Sequence, residues 1–167
     1  MIYFVGVNHG YQVIGGFPHR TASSSQLTFH QLSEETTQYQ KPFFDWLRKF
    51  ISKNKILHIF EEWTLISDSE SSASSLAKEQ KISYIQIDEF PQIIDQGLRE
   101  DDWVEKIIKN FSNGNNNGLV IVGDNHCESL KEKIKNKSNI DIEIIRQNTL
   151  ESILIPKIYN DITISIS

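Results

Sequence analysis

The chain has 167 residues, 38% of them hydrophobic and 23% charged, with a formal charge of −5 at neutral pH. That size holds one globular domain with a useful core, here residues 1–167, and leaves little room for a second. The acidic balance and a basic group no larger than Arg48, Lys49, Lys53 and Lys55 argue against nucleic acid, and the lone Cys127 excludes a disulfide framework or a multi-cysteine zinc or iron–sulfur site.

In chain order, Ile2 to Val7 is a short apolar run rich in β-branched and aromatic residues, the pattern of a strand covered on both faces. The piece from Gly10 to about Ser33, with Gly15-Gly16, Pro18 and Ser23-Ser24-Ser25, is polar and long for a connection, and reads as a lid or loop. Phe43, Leu47, Phe50 and Ile51 have helical spacing, with Pro42 starting or kinking that helix. Strand patterns follow at Leu57 to Phe60, Tyr84 to Ile87, Leu119 to Val122 and Ile140 to Ile145. Helical patterns alternate with them at Ala73, Leu76 and Ala77, at Trp103, Ile107, Ile108 and Phe111, and at Leu130 and Ile134.

Asn125 to Glu128 reads as a capping box opening the last of these helices, and Lys131, Lys133, Lys135 and Lys137 suit its far end. The tail from Pro156 to Ser167 alternates Ile162, Ile164 and Ile166 with polar residues, as an added edge strand would. The alternation of strand and helix predicts an α/β domain built on a mostly parallel open sheet of about five strands flanked by helices. No apolar stretch approaches the roughly 20 residues of a membrane span, and the opening residues carry no basic leader. A soluble cytoplasmic protein is the expectation.

In such sheets ligands bind beyond the carboxyl ends of the strands. The predicted strands end at His9, at Glu61-Glu62, at Asp88-Glu89 and at Asp124 with His126, so acids and imidazoles gather along one edge. V-G-x-N-H occurs twice there, at Val5–His9 and at Val122–His126. Glycine at a strand exit permits a tight turn or the close approach of a ligand. Taken singly these features have ordinary readings. A lone G-x-x-H is more often a structural histidine, Asp124 a loop or capping residue, Cys127 a small packing residue, and the serine run a loop without a G-x-S-x-G elbow. His19, His30 and His58 have no distinctive spacing. The conjunction of two repeated units with an acidic pair between them points to one site.

These residues resemble the TraB/Tiki/erythromycin esterase/ChaN superfamily. The paired G-x-x-H motifs and the acidic Glu61-Glu62 carry the likeness, together with "YIQIDEF…LREDDWVEKI", in which Asp88 ends a strand and Arg99 is followed by Trp103 at the start of a helix. It runs from about Ile2 to Ile145. The resemblance implies an α/β core with His9, Glu61 or Glu62, Arg99 and His126 around one pocket. Members include metal-dependent proteases, macrolide esterases and a haem-binding lipoprotein. This chain is shorter than the larger members and lacks the helices that build their substrate pockets.

The expected activity is hydrolysis of an ester or amide in a small-molecule or peptide substrate. His9, His126 and one or both of Glu61 and Glu62 would hold a divalent ion (Mn, Co or Zn) that lowers the pKa of its water toward about 7, with a glutamate left off the metal as general base and Arg99 stabilising an oxyanion or gripping a substrate carboxylate. In a metal-free form a histidine or glutamate activates water directly. The alternatives are a module that binds haem, a metal or a small molecule without turnover, and a protein-interaction scaffold. Residues alone leave the oligomeric state open.

Overall fold

The structure, a computed structural model, describes residues 1–12, 19–23, 26–30, 34–63, 70–88, 95–111 and 116–155. The elements in chain order are β1 (Ile2–Val7), a β2–β3 hairpin (His19–Ser23 and Gln26–His30), α1 (Glu34–Lys53), β4 (Ile56–Glu61), α2 (Ser72–Gln80), β5 (Ser83–Gln86), α3 (Gln96–Phe111), β6 (Asn117–Gly123), α4 (Cys127–Lys137), β7 (Ile142–Ile145) and α5 (Gln147–Leu154). Five strands form one sheet in the order β5-β4-β6-β1-β7, every neighbouring pair parallel. The expected α/β architecture is therefore present.

Period-two alternation sorts the strand residues onto two faces. Val5, Val7, Ile59, Leu119 and Ile121 meet Phe43, Leu47 and Ile51 of α1, Ala73, Leu76 and Ala77 of α2, and Leu150 of α5. On the other face Ile2, Phe4, Phe60, Val120 and Val122 meet Trp103, Val104, Ile107 and Phe111 of α3 and Cys127, Leu130 and Ile134 of α4. Each fully buried aliphatic or phenyl side chain is worth about 1.5–3 kcal/mol of transfer free energy. Both faces are apolar, which is why these strands read as continuous apolar runs.

The strand order positions the site. β1 and β6 are neighbours, yet β1 feeds elements on the α1 face while β6 feeds α4 on the opposite face. Loops diverging from adjacent parallel strands leave a crevice at their carboxyl ends. Register places Val7 beside Gly123 and Glu61 beside Ile121, so residues just past those positions share one rim.

The sequence expectations differ from the structure in five places. The Gly10–Ser33 connection contains an antiparallel hairpin, with His19 opposite His30. α1 begins at Glu34, ahead of the predicted stripe, so of the two roles expected for Pro42 the helix start is excluded and the proline lies inside; its missing N–H deprives the carbonyl of Gln38, which is exposed and can be hydrated. Asn125 does not cap α4: the preceding chain forms a 3₁₀ turn over Asp124–His126, and His126 stands at the cap position without a side-chain bond to the helix's N–H groups. The last strand is shortened to Ile142–Ile145, and α5, which no pattern announced, follows it. The predicted edge strand over Pro156–Ser167 lies outside the described residues. No helix among those described is long and apolar enough to cross a membrane.

Candidate functional site

His9 opens a 3₁₀ turn, His9–Gln12, immediately beyond β1. His126 closes another, Asp124–His126, immediately beyond β6. Because the two strand ends are adjacent, the imidazoles converge over Gly123. A Cβ built on Gly123 would lie 3.3 Å from His9 Nε2, 3.4 Å from His126 Cδ2 and 3.5 Å from Glu62 Oε2. The glycine therefore leaves a small hollow shared by three polar side chains.

Glu62, one residue past β4, is the hub. Its backbone N–H donates to Ile121 O at 2.9 Å, extending the ladder by one bond and fixing the carboxylate beside β6. Oε2 accepts from Gly123 N–H at 2.8 Å and lies 3.5 Å from His9 Nε2. Oε1 accepts from Arg99 Nη2 at 3.3 Å and lies 3.8 Å from His126 Nε2. The carboxylate is 8% exposed, His126 15% and His9 32%, so the hollow opens on the His9 side.

Each imidazole is held from behind. His9 Nδ1 is 2.8 Å from Gln12 Oε1, and the amide is oriented by Glu61, whose Oε1 accepts from Gln12 Nε2 at 2.6 Å. His126 Nδ1 is 2.7 Å from Glu100 Oε1. An amide oxygen and a carboxylate only accept, so in both rings Nδ1 carries the proton. Both Nε2 atoms, which face Glu62, are then proton acceptors in the neutral ring.

Glu100 is almost fully buried and also accepts from Ser129 Oγ at 2.5 Å and Gln96 Nε2 at 3.0 Å. Burial is the largest single influence on its carboxyl and works upward, but the hydrogen bonds from His126, Ser129 and Gln96 together hold it below the ordinary glutamate range. Arg99 Nη2 also donates to Asp88 Oδ2 at 3.0 Å, its guanidinium lies 4.9 Å from the Trp103 ring centroid, and Trp103 meets the His126 ring edge-on. Burial pushes the Asp88 carboxyl upward against the opposing pull of Arg99.

The structure thus brings together four of the expected residues, His9, Glu62, Arg99 and His126. It sets Glu61 apart. Successive strand residues face opposite ways, and Glu61 points to the α1 face, fully buried, where Gln12, Ser71 and Tyr84 all donate to it. Burial raises its carboxyl pKa despite these bonds. Glu61 supports the hollow through Gln12 and does not line it. Asp124 bonds Arg146 Nη2 and Gln147 N–H, capping α5, and Cys127 is buried with its thiol pushed up to about 12 by desolvation. Both match their ordinary readings.

Among the described residues, no three His, Cys, Asp or Glu side chains are disposed to hold one ion. Both Glu62 oxygens already accept hydrogen bonds, one from a guanidinium whose charge opposes a cation. Gln12 and Glu100 were not anticipated, although both had a signal. Gln12 follows His9 by one 3₁₀ turn, and Glu100 extends the buried Trp103, Val104, Ile107 and Phe111 stripe back by one turn, where an acid has no solvent to face. The defining features are an open parallel α/β sheet and, at its carboxyl edge, a buried glutamate between two oriented imidazoles. Compared with protein-family models, curated proteins and solved structures, the chain matches none.

Proposed function

We propose that the chain is a hydrolase of ester or amide bonds that activates water directly at the His9, Glu62 and His126 cluster. The carrying observation is that imidazoles from opposite ends of the sequence, each held at Nδ1 by an acceptor, turn their Nε2 atoms toward the two oxygens of one buried carboxylate. Separations of 3.5 and 3.8 Å are long for direct hydrogen bonds and too short for a water on the line between the atoms, so the water is placed beside them, over Gly123. Imidazole nitrogen so oriented is a general base at neutral pH. Arg99, anchored by Asp88, supplies positive charge beside the hollow for the oxyanion of a tetrahedral intermediate. The likeness to the TraB/Tiki/erythromycin esterase/ChaN superfamily belongs to this proposal and supports the reaction class.

One observation favours a second reading. Two imidazole nitrogens turned toward one carboxylate also suit a divalent cation, as a metal-assisted member of that superfamily would require. The present hydrogen bonds of Glu62 favour the direct form. The test is a panel of carboxylic esters and short peptides assayed on the purified chain, with chelator and with added Mn, Co or Zn. Turnover that resists the chelator and falls by roughly 10²-fold or more in both His126→Ala and Glu62→Gln is expected. Turnover that requires added metal establishes the second reading. No turnover, with a haem band or a co-purifying small molecule, replaces both with a binding module.

A further inference from the structure

The two histidines of the hollow are held by different chemistry. Behind His126 stands a carboxylate, Glu100, at 2.7 Å. Behind His9 stands a neutral amide, Gln12, at 2.8 Å. A ring that takes a proton at Nε2 becomes a cation, and a carboxylate on Nδ1–H stabilises that cation where an amide cannot. Glu100 is also restrained: Ser129 Oγ and Gln96 Nε2 donate to it and Lys133 Nζ lies 3.8 Å away, so it cannot swing aside. Gln96 Nε2 is 3.4 Å from His126 Nδ1 but only 3.0 Å from Glu100, so it binds the acid and leaves Nδ1–H to that same acid. Trp103, edge-on to the His126 ring at 5.1 Å, fixes its plane.

We infer that the site divides its labour: His126 is the proton acceptor, Glu100 is its positioning residue, and His9 orients the water. This inference rests on the hydrolase reading for the reaction itself. A water over Gly123 directs one hydrogen to His126 Nε2 and the other to His9 Nε2. Its oxygen attacks the substrate carbonyl carbon while the first proton passes to His126, and the carbonyl electron pair moves onto oxygen beside Arg99. Collapse re-forms the carbonyl and breaks the bond to the alkoxide or amine. That leaving group takes the proton back from His126, giving acid plus alcohol or amine and restoring the neutral ring.

The decisive experiment reads ring protonation and does not need turnover. Long-range ¹⁵N–¹H correlation spectra of the full chain are recorded for wild type, Glu100→Ala, Glu100→Gln and Gln12→Ala. Wild type is expected to show both neutral rings protonated at Nδ1. Glu100→Ala is expected to move His126 toward the Nε2–H tautomer with His9 unchanged, and Gln12→Ala to do the reverse, whereas Glu100→Gln, whose amide oxygen still accepts from Nδ1–H as Gln12 does at His9, keeps the tautomer and removes only the charge. If Glu100→Ala does not fold, Glu100→Met, similar in length and without an acceptor oxygen, gives the same reading. In the hydrolysis assay Glu100→Gln should lower kcat by roughly 10²-fold with KM little changed, and Gln12→Ala by under tenfold. A His126 ring that keeps its tautomer once the acceptor at position 100 is removed, or a Gln12→Ala loss larger than the Glu100→Gln loss, overturns the assignment. Altered tautomers in a chain that cleaves nothing retain Glu100 as the positioning residue and remove the hydrolase reading alone.

Discussion

The junctions after β1 and β6 carry the same V-G-x-N-H residues and lie side by side in the sheet, yet their glycines serve opposite ends. Gly6 is covered. A Cβ there would fall 2.1 Å from Asp124 Oδ1 and 3.0 Å from Asp124 Cα. Asp124 is held in that position by Arg146 Nη2 at 2.7 Å and Gln147 N–H at 2.8 Å. The first glycine therefore lets the turn beyond β6 lie on β1 and tie down the start of α5. The second, Gly123, meets the tips of three polar side chains instead. Neighbours make the difference: the exit of β6 lies between β1 and β4 and so faces Glu62, whereas β1 has β7 on its other side. The shared motif puts a glycine near each strand end and a histidine in the 3₁₀ turn beyond it, and the surrounding strands decide whether the space the glycine leaves is filled.

The comparison extends behind the histidines. The His9 junction depends on a buried hydrogen-bond network, so the largest stability effect is expected there, from Glu61→Ala. That change strands donors of Gln12, Ser71 and Tyr84 in the core and should cost about 3 kcal/mol in urea unfolding. A loss under about 1 kcal/mol would show that this network is dispensable.

Gly6→Ala comes next, at about 2 kcal/mol, because the new methyl must dislodge Asp124 from its bonds to α5. In an Asp124→Ala background the same substitution should cost less by at least about 0.5 kcal/mol. Additive costs would place the strain elsewhere than at Asp124.

A smaller effect separates the His126 side by pH. The Glu100 carboxyl is held below its ordinary value of 4.5 in the fold. The unfolded chain therefore binds the proton more readily, and the stability Glu100 contributes is present above about that pH and is lost as pH falls through the lower folded-state value. The gap in Tm between wild type and Glu100→Gln should thus be present at pH 7 and close in acid. A gap that widens on acidification would contradict the hydrogen-bonded carboxylate.

The fold was legible because apolar runs and helical stripes alternate along the chain, and burial on both faces of a parallel sheet leaves that signature without ambiguity. The convergence of His9 and His126 was legible for the same reason, since strand exits in such a sheet share an edge. Strand order was not: nothing local says that β6 inserts between β1 and β4, yet that insertion brings Glu62 to Gly123. The choice between Glu61 and Glu62 was equally closed, because the strand's alternation assigns them opposite faces without saying which face holds the site. α5 escaped notice because Gln147 to Leu154 buries little beyond Leu150, too short a stripe to declare a period. The capping role of Asp124 was visible as a preference, but its partner is the helix that follows the next strand, a long-range contact.

The least destabilising change sharpens the comparison most. Gly123 has φ −54° and ψ 137°, backbone that any residue adopts, so Gly123→Ala carries no conformational penalty. Its methyl would meet His9 Nε2, His126 Cδ2 and Glu62 Oε2 at 3.3–3.5 Å, contacts relieved by shifts of a few tenths of an ångström in side chains at a partly open rim. Stability should stay within about 1 kcal/mol of wild type, aided by the reduced freedom of the unfolded chain. The hollow, however, is filled where a water or carbonyl would sit. Turnover on any ester or peptide found to be a substrate should fall by roughly 10²-fold, with the ring resonances of His9 and His126 shifting while the rest of the spectrum holds. A Gly123→Ala protein that retains both full activity and unshifted imidazole signals would mean that the two junctions differ only in packing, and that the space between the histidines has no part in the chemistry.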